Sequence, residues 1–265
     1  MMSALYTAAS GMNAQEFNVN NIAHNLSNVN TTGYKKMRAE FEDLLYQTHV
    51  LAGTPVSEST TIPTGVQEGL GTRVVATKRD FSIGALRSTN QPTDLALTGV
   101  GFFKIALPDG TVAYTRDGSM KVDSNRQMVT SNGYFFQPDN PIILPENTKV
   151  ADLTVSELGR VGIRMPDGNT AEFGQIQVYR FVNPEGLEAI GQNLYRVTDA
   201  SGPAQEGTPA LDGASPVRQG FLEMSNVNLA DEMVNMIIAQ RAYETNSKSI
   251  HTSDSMLQTA IGLKR

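Results

Sequence analysis

Residues 25–36 read NLSNVNTTGYKK, and the four letters Ser27-Asn28-Val29-Asn30 return near the other end of the chain as Ser225-Asn226-Val227-Asn228. Both copies are built from turn-forming and capping residues, and each borders a long stretch of helix-like apolar spacing. The two copies are therefore expected where a terminal helix meets the intervening chain. At the second copy, Asn226 and Asn228 form the approach to a helix. Asn228 is the expected N-cap and Asp231 the third helical residue, where its charge suits the positive end of the helix dipole. At the first copy, Asn28 or Asn30 is expected to take the left-handed conformation that ends a helix, with Gly33 just beyond.

Working outward from these borders, all twelve prolines fall between Pro55 and Pro216, and twenty of the 23 glycines between Gly53 and Gly220. Proline and glycine interrupt helices and build turns, so the ends are free to be long helices while the centre is a turn-rich β body. The expected fold class is α+β: long N- and C-terminal helices pairing as a coiled coil, a central antiparallel β-rich domain and an extended connecting arm. The corresponding divisions are residues 1–45 and 226–265 for the helical domain, 46–77 for the arm and 78–225 for the β domain.

Leu5, Met12, Val19 and Leu26 repeat every seven residues, with Ile22 on the companion position. Leu229, Met236, Tyr243, Ile250 and Leu257 keep the same period, flanked by Met233, Ile237 and Ile261, and predict a helix over about 228–262. These stripes are narrow. Gln240, Ser247 and Asp254 are polar, seven asparagines precede residue 31, and Glu16 is the single Asp, Glu, Lys or Arg among the first 34 residues. A narrow apolar face cannot offset the entropy of ordering such long helices, and asparagine is a poor helix former. Both ends are expected to become ordered against each other and against further copies.

The arm, 46–77, holds Val56, Ile62, Pro63, Val66, Leu70 and Val74. It is too apolar and β-branched for a solvated tether, and is expected to pair or to lie on another subunit. In the body, Pro108-Asp109-Gly110 between two alternating runs is a hairpin signature, and similar punctuation recurs at Pro166-Asp167-Gly168 and at Asn183-Pro184-Glu185-Gly186.

The net charge of −6 with scattered basic residues lacks the footprint of a nucleic-acid binder, and the absence of cysteine closes thiol chemistry. Nothing approaches a membrane span or a cleavable signal. The three histidines, at 24, 49 and 251, lack second ligands at metal spacing; nucleotide loops and nucleophile elbows are missing as well. The expectation is no catalytic site, no cofactor, no metal and no small-molecule substrate.

Residues 25–35 (NLSNVNTTGYK) resemble the N-terminal signature of the bacterial flagellar rod and hook proteins. Residues 219–229 (QGFLEMSNVNL), with Asp231-Glu232-Met233 and 240–246 (QRAYETN), resemble the C-terminal signature of the same axial family. Residues 60–67 (TTIPTGVQ), 71–77 (GTRVVAT), 91–97 (QPTDLAL) and 107–118 (LPDGTVAYTRDG) are similar to the wording of its distal-rod members. Residues 47–56, Met128 and Phe135-Phe136 depart from it.

The resemblance implies a homo-oligomeric helical tube. Paired terminal helices would line an export channel, the β body would lie outside, and the arm would brace neighbouring subunits. It further implies a straight, rigid drive shaft carrying torque from motor to hook. The implied partners are proximal rod proteins, the hook protein and periplasmic and outer-membrane ring proteins. The implied location is the basal body from periplasm to outer membrane, reached by type III export without a cleavable signal. The competing readings are a hook or proximal rod subunit, a trimeric β-domain binding protein on coiled-coil stalks, and a soluble β-rich hydrolase.

Overall fold

The structure is a computed structural model and describes residues 2–53, 55–57, 60–145, 148–164, 170–211 and 213–262. Two long helices, α1 (Met2–Ser27) and α2 (Leu229–Gly262), bracket a β-rich middle. The chain divides into two units, described separately: Met1–Leu26, Met37–Lys78 and Leu229–Arg265 form the first, Ser27–Lys36 and Arg79–Asn228 the second.

In the first unit, α1 ends at Ser27, at the border marked by the first repeat, and Met37–Asp43 is a strand. The cause is local. Thr31 N donates to Asn28 O at 3.1 Å and Thr31 Oγ1 to Asn28 Oδ1 at 3.1 Å, a side-chain-supported turn that competes with further helix. Beyond it, Met37–Asp43 is a strand that buries Ala39 and exposes Phe41. That strand pairs with Thr72–Arg79, Tyr46–Val50 pairs with Val66–Gly69, and Pro55–Ser57 pairs with Thr60–Thr61. Nested in this order, the three pairs make one two-stranded ribbon. The arm is thus a hairpin folded on itself, with its last run, Thr72–Arg79, paired to Met37–Asp43 just before it. The ribbon's root rests on α1: Thr72 N donates to Ser10 Oγ at 3.3 Å, and a Cβ on Gly71 (φ +107°) would lie 2.0 Å from that oxygen.

The second unit is built on a seven-stranded antiparallel sheet in the order Met120–Val122, Met128–Thr130, Phe135–Phe136, Phe103–Ala106, Val112–Thr115, Leu194–Arg196, Glu188–Gly191. The Pro108-Asp109-Gly110 hairpin sets Val112 opposite Ala106, with Gly110 at φ +79°. The Pro166-Asp167-Gly168 turn lies outside the described residues, although its flanks Arg160–Arg164 and Thr170–Gln175 are paired. At 184–186 the expected turn is instead a short 3-10 segment: the strand before it, Val178–Arg180, pairs with Gln205–Gly207, so no hairpin forms there. Leu95, Leu97, Phe103, Ile105, Met120, Met128, Phe136, Ile176 and Val178 fill the main core. A second cluster is aromatic. Phe102 packs edge-on against Phe81, Phe181 and Tyr195 at 5.4–5.8 Å between centroids, and Tyr114 against Tyr179 and Phe181.

Candidate functional site

Inside the second unit, the segment carrying the first repeat and the segment carrying the second are clasped together. Phe221–Glu223 pairs with Leu86–Ser88, which fixes Glu223 opposite Leu86. Gly33 N donates to Glu223 O at 2.8 Å, bringing residues 32–36 alongside that strand. Gly33 is left-handed (φ +68°), and a Cβ there would lie 2.7 Å from Asp117 N and 2.8 Å from Arg116 C. Neither Asn28 nor Asn30 has a positive φ, so the left-handed residue of this exit is Gly33, where close backbone approach leaves no room for a side chain.

Behind this contact lies a buried charge triad. Lys35 Nζ donates to Glu223 Oε1 at 2.6 Å and to Ser82 O at 2.6 Å. Arg116 Nη1 donates to Glu223 Oε2 at 3.3 Å, and Gly84 N to Glu223 Oε1 at 3.0 Å. The side chains of all three are at most 1% exposed. One carboxylate therefore serves two cations. Burial pushes the pKa of Lys35 down, the neighbouring Arg116 adds to that, and Glu223 pulls the other way; burial likewise lowers that of Arg116. The Arg116 guanidinium also lies over the Phe102 ring at 5.4 Å, which leaves its Nε and Nη2 without hydrogen-bond partners among the described residues.

The second repeat completes the clasp. Lys36 N donates to Asn226 Oδ1 at 2.7 Å, and Asn226 Nδ2 donates to Asp80 O at 2.8 Å. Ser225 and Val227 are buried, whereas Asn30 and Asn228 are exposed. The two SNVN copies thus do different work: the first makes a turn, and the second uses its Asn226 carboxamide to hold the backbone just after the first. Asn228 immediately precedes α2, and Asp231 lies in its first turn.

In the first unit, α1 and α2 touch at two places. Asn25 Nδ2 donates to Glu232 Oε2 at 3.3 Å, and a Cβ on Gly11 would lie 2.8 Å from Asn246 Nδ2. The contacts lie fourteen residues apart on each helix and in opposite directions, so the helices run antiparallel. Asn25 also uses both ends of its amide on Met37, donating to its carbonyl at 2.7 Å and accepting from its N–H at 2.9 Å.

The positions buried on the helices are Ala14, Asn21, Ile22 and Asn25 on α1 and Glu232, Ala239 and Ser253 on α2. Of the stripe residues read from the sequence, Ile22 is buried, and Leu5, Met12, Val19, Leu26, Met236, Ile250 and Leu257 are half-buried. Leu229, Tyr243 and the flanking Met233, Ile237 and Ile261 are exposed. The flanks point outward because small and polar residues hold the buried positions, and these let two backbones approach more closely than Met or Ile would. On the ribbon, Ile62, Leu70 and Val74 are half-buried, Pro63 is exposed and Val66 is 57% exposed; the Val56 side chain lies outside the described residues. Leu51 is also exposed, and Phe41 and Leu45 are further exposed apolar residues there that sequence reading did not single out. Nor did it assign a role to Lys35, Arg116 or Glu223. Charged letters in a signature give no hint of burial, and Arg116 is remote from both ends.

Comparison with known proteins follows these features. A family model described as flagella basal body rod protein matches residues 5–35, one for the flagellar hook protein FlgE/F/G D1 domain matches 96–163, and one for the flagellar basal body rod FlgEFG protein C-terminal matches 218–263. Gly33 and Lys35 fall in the first match, Arg116 in the second and Glu223 in the third, so the triad draws one charge from each. The chain is 58% identical to the flagellar basal-body rod protein FlgG of Borreliella burgdorferi, over 100% of both chains. It is 45% identical to that of Caulobacter vibrioides over 99% of this chain and 100% of the relative, and 39% identical to that of Bacillus subtilis over 100% of both.

Proposed function

Because the chain belongs to the flagellar basal-body rod protein FlgG family and is a structural subunit of the flagellar distal rod rather than an enzyme, we propose that copies of it close into a straight, hollow and rigid shaft. In this reading α1 and α2 pair as an antiparallel coiled coil. The fourteen-residue interval between their two contacts equals two heptads, which supports that geometry. The helices form the inner wall around an export channel, and the β unit forms the outer one.

The observation that carries the proposal is the apolar surface the first unit leaves uncovered. On α2, Leu229, Met233, Val234, Ile237 and Ile238 recur at helical spacing and are 49–61% exposed, while the positions α2 buries are Glu, Ala and Ser. The ribbon adds Leu45 at 85% and Leu51 at 68%. Neighbouring copies would cover both. A ribbon laid across neighbours removes the sliding freedom that lets a tube bend, so stiffness follows from the ribbon. Proximal rod proteins, the hook protein and the periplasmic and outer-membrane rings complete the proposed contacts, along a shaft running from periplasm to outer membrane after export without a cleavable signal.

Electron microscopy of the purified chain at high concentration tests this. Straight hollow tubes are expected. A chain lacking residues 56–75 should give curved or flexible tubes or none; equally stiff, straight tubes from that variant would remove the bracing role.

A further inference from the structure

We infer that the Lys35–Glu223–Arg116 triad is a three-part lock, which closes only when the N-terminal signature, the loop 80–85 and the C-terminal signature are all in place. The inference concerns the folding of one chain and does not depend on how copies assemble. Glu223 is the one hub: its carbonyl accepts from Gly33, Oε1 from Lys35 and Gly84, and Oε2 from Arg116. The next residues extend the same grip, Met224 N to Ala85 O at 2.9 Å and Asn226 to Lys36 and Asp80.

Removing the C-terminal segment takes the carboxylate from between Lys35 and Arg116, and Arg116 already lowers the tendency of the buried Lys35 to carry charge. The state with residues 27–36 docked and 219–228 absent is therefore disfavoured, so the N-terminal segment does not dock ahead of the C-terminal one. A chain that emerges N-terminus first holds residues 27–36 for nearly two hundred residues before Glu223 arrives. Until then the strands Leu86–Ser88 and Leu95–Leu97 lack their partners Phe221–Glu223 and Val217–Gln219. The lock makes closure of this side of the β unit the last step, set by delivery of the C-terminal signature.

Hydrogen exchange on the full chain, dilute enough to stay monomeric, tests this. Glu223→Gln keeps the shape but removes the negative charge. The amides of Gly33, Lys36, Gly84 and Met224 should lose protection together, at least tenfold each, while those of Ile105 and Ala113 in the central strands keep theirs. Adding Lys35→Met removes one of the two buried cations and should restore protection at least tenfold. Loss confined to Gly84 and Met224, or a double variant no better than the single one, would overturn the lock. If the variants do not fold, the unaltered chain in rising sub-denaturing urea decides: one shared opening isotherm for the four amides supports the lock, and separate isotherms refute it.

Discussion

The two units spend their side chains in opposite ways. The second buries Leu95, Phe103, Ile105 and Ile176 completely and gathers Phe81, Phe102, Tyr114, Tyr179, Phe181 and Tyr195 into an aromatic cluster. The first buries Asn21, Asn25, Glu232 and Ser253 while leaving Met233, Ile237, Ile238 and Ile261 more than half exposed. Apolar burial is the dominant favourable term in folding, so the second unit carries its stability within itself. The first is held by hydrogen bonds and close backbone contact, and keeps its apolar surface for something outside the chain.

The sharpest way to break this contrast is to damage each unit at a comparable residue. Phe103→Ala removes a ring that is 0% exposed and should cost about 3–5 kcal/mol in urea unfolding of the second unit. A loss near zero would mean the core is not where its stability lies. A smaller effect is expected at Gly33→Ala. Its left-handed φ and the 2.7 Å approach to Asp117 N should cost on the order of 1–3 kcal/mol and fall on the second unit alone. An unfolding curve that shifts in both units equally would show that they are not separable.

Alkaline pH sharpens the same contrast. Burial raises the pKa of Tyr114, Tyr179 and Tyr195 above the ordinary 10.0. The folded state therefore holds these protons longer than the unfolded one. Their contribution is fully present below about pH 10 and is lost as the pH rises through the folded values. Of the eight tyrosines, these three should ionise in ultraviolet titration only as the second unit opens. The least effect on the monomer is expected from Ile237→Ser, within about 0.5 kcal/mol because the side chain is 56% exposed. The same change should abolish tube formation in micrographs, and tubes that persist would show this face to be idle.

The helix–β–helix order was legible because proline and glycine are confined to the middle, and the Pro108-Asp109-Gly110 hairpin because its letters match the turn. The course of the ribbon was not, since 46–77 reads as apolar extended chain whether it pairs with itself or with a neighbour. The heptad rows located the helices but not every buried position on them: a search for apolar repeats passes over Gly11, Ala14, Asn25 and Glu232, where the helices meet or bury their sides. The triad was hidden for a different reason. Its members lie at 35, 116 and 223, and only the register of Phe221–Glu223 on Leu86–Ser88 and the docking of Gly33 bring them within reach.

The root of the ribbon has a mechanical corollary. Gly71 leaves no room for a side chain beside the Ser10 hydroxyl, and Thr72 N is hydrogen-bonded to that oxygen. Beyond that point the ribbon continues through the pair Tyr46–Val50 and Val66–Gly69, a lever of roughly 15 Å at ordinary strand rise. Any roll of α1 about its own axis is geared to a sweep of these paired strands, and strands held fast would in turn stop the helix from rolling.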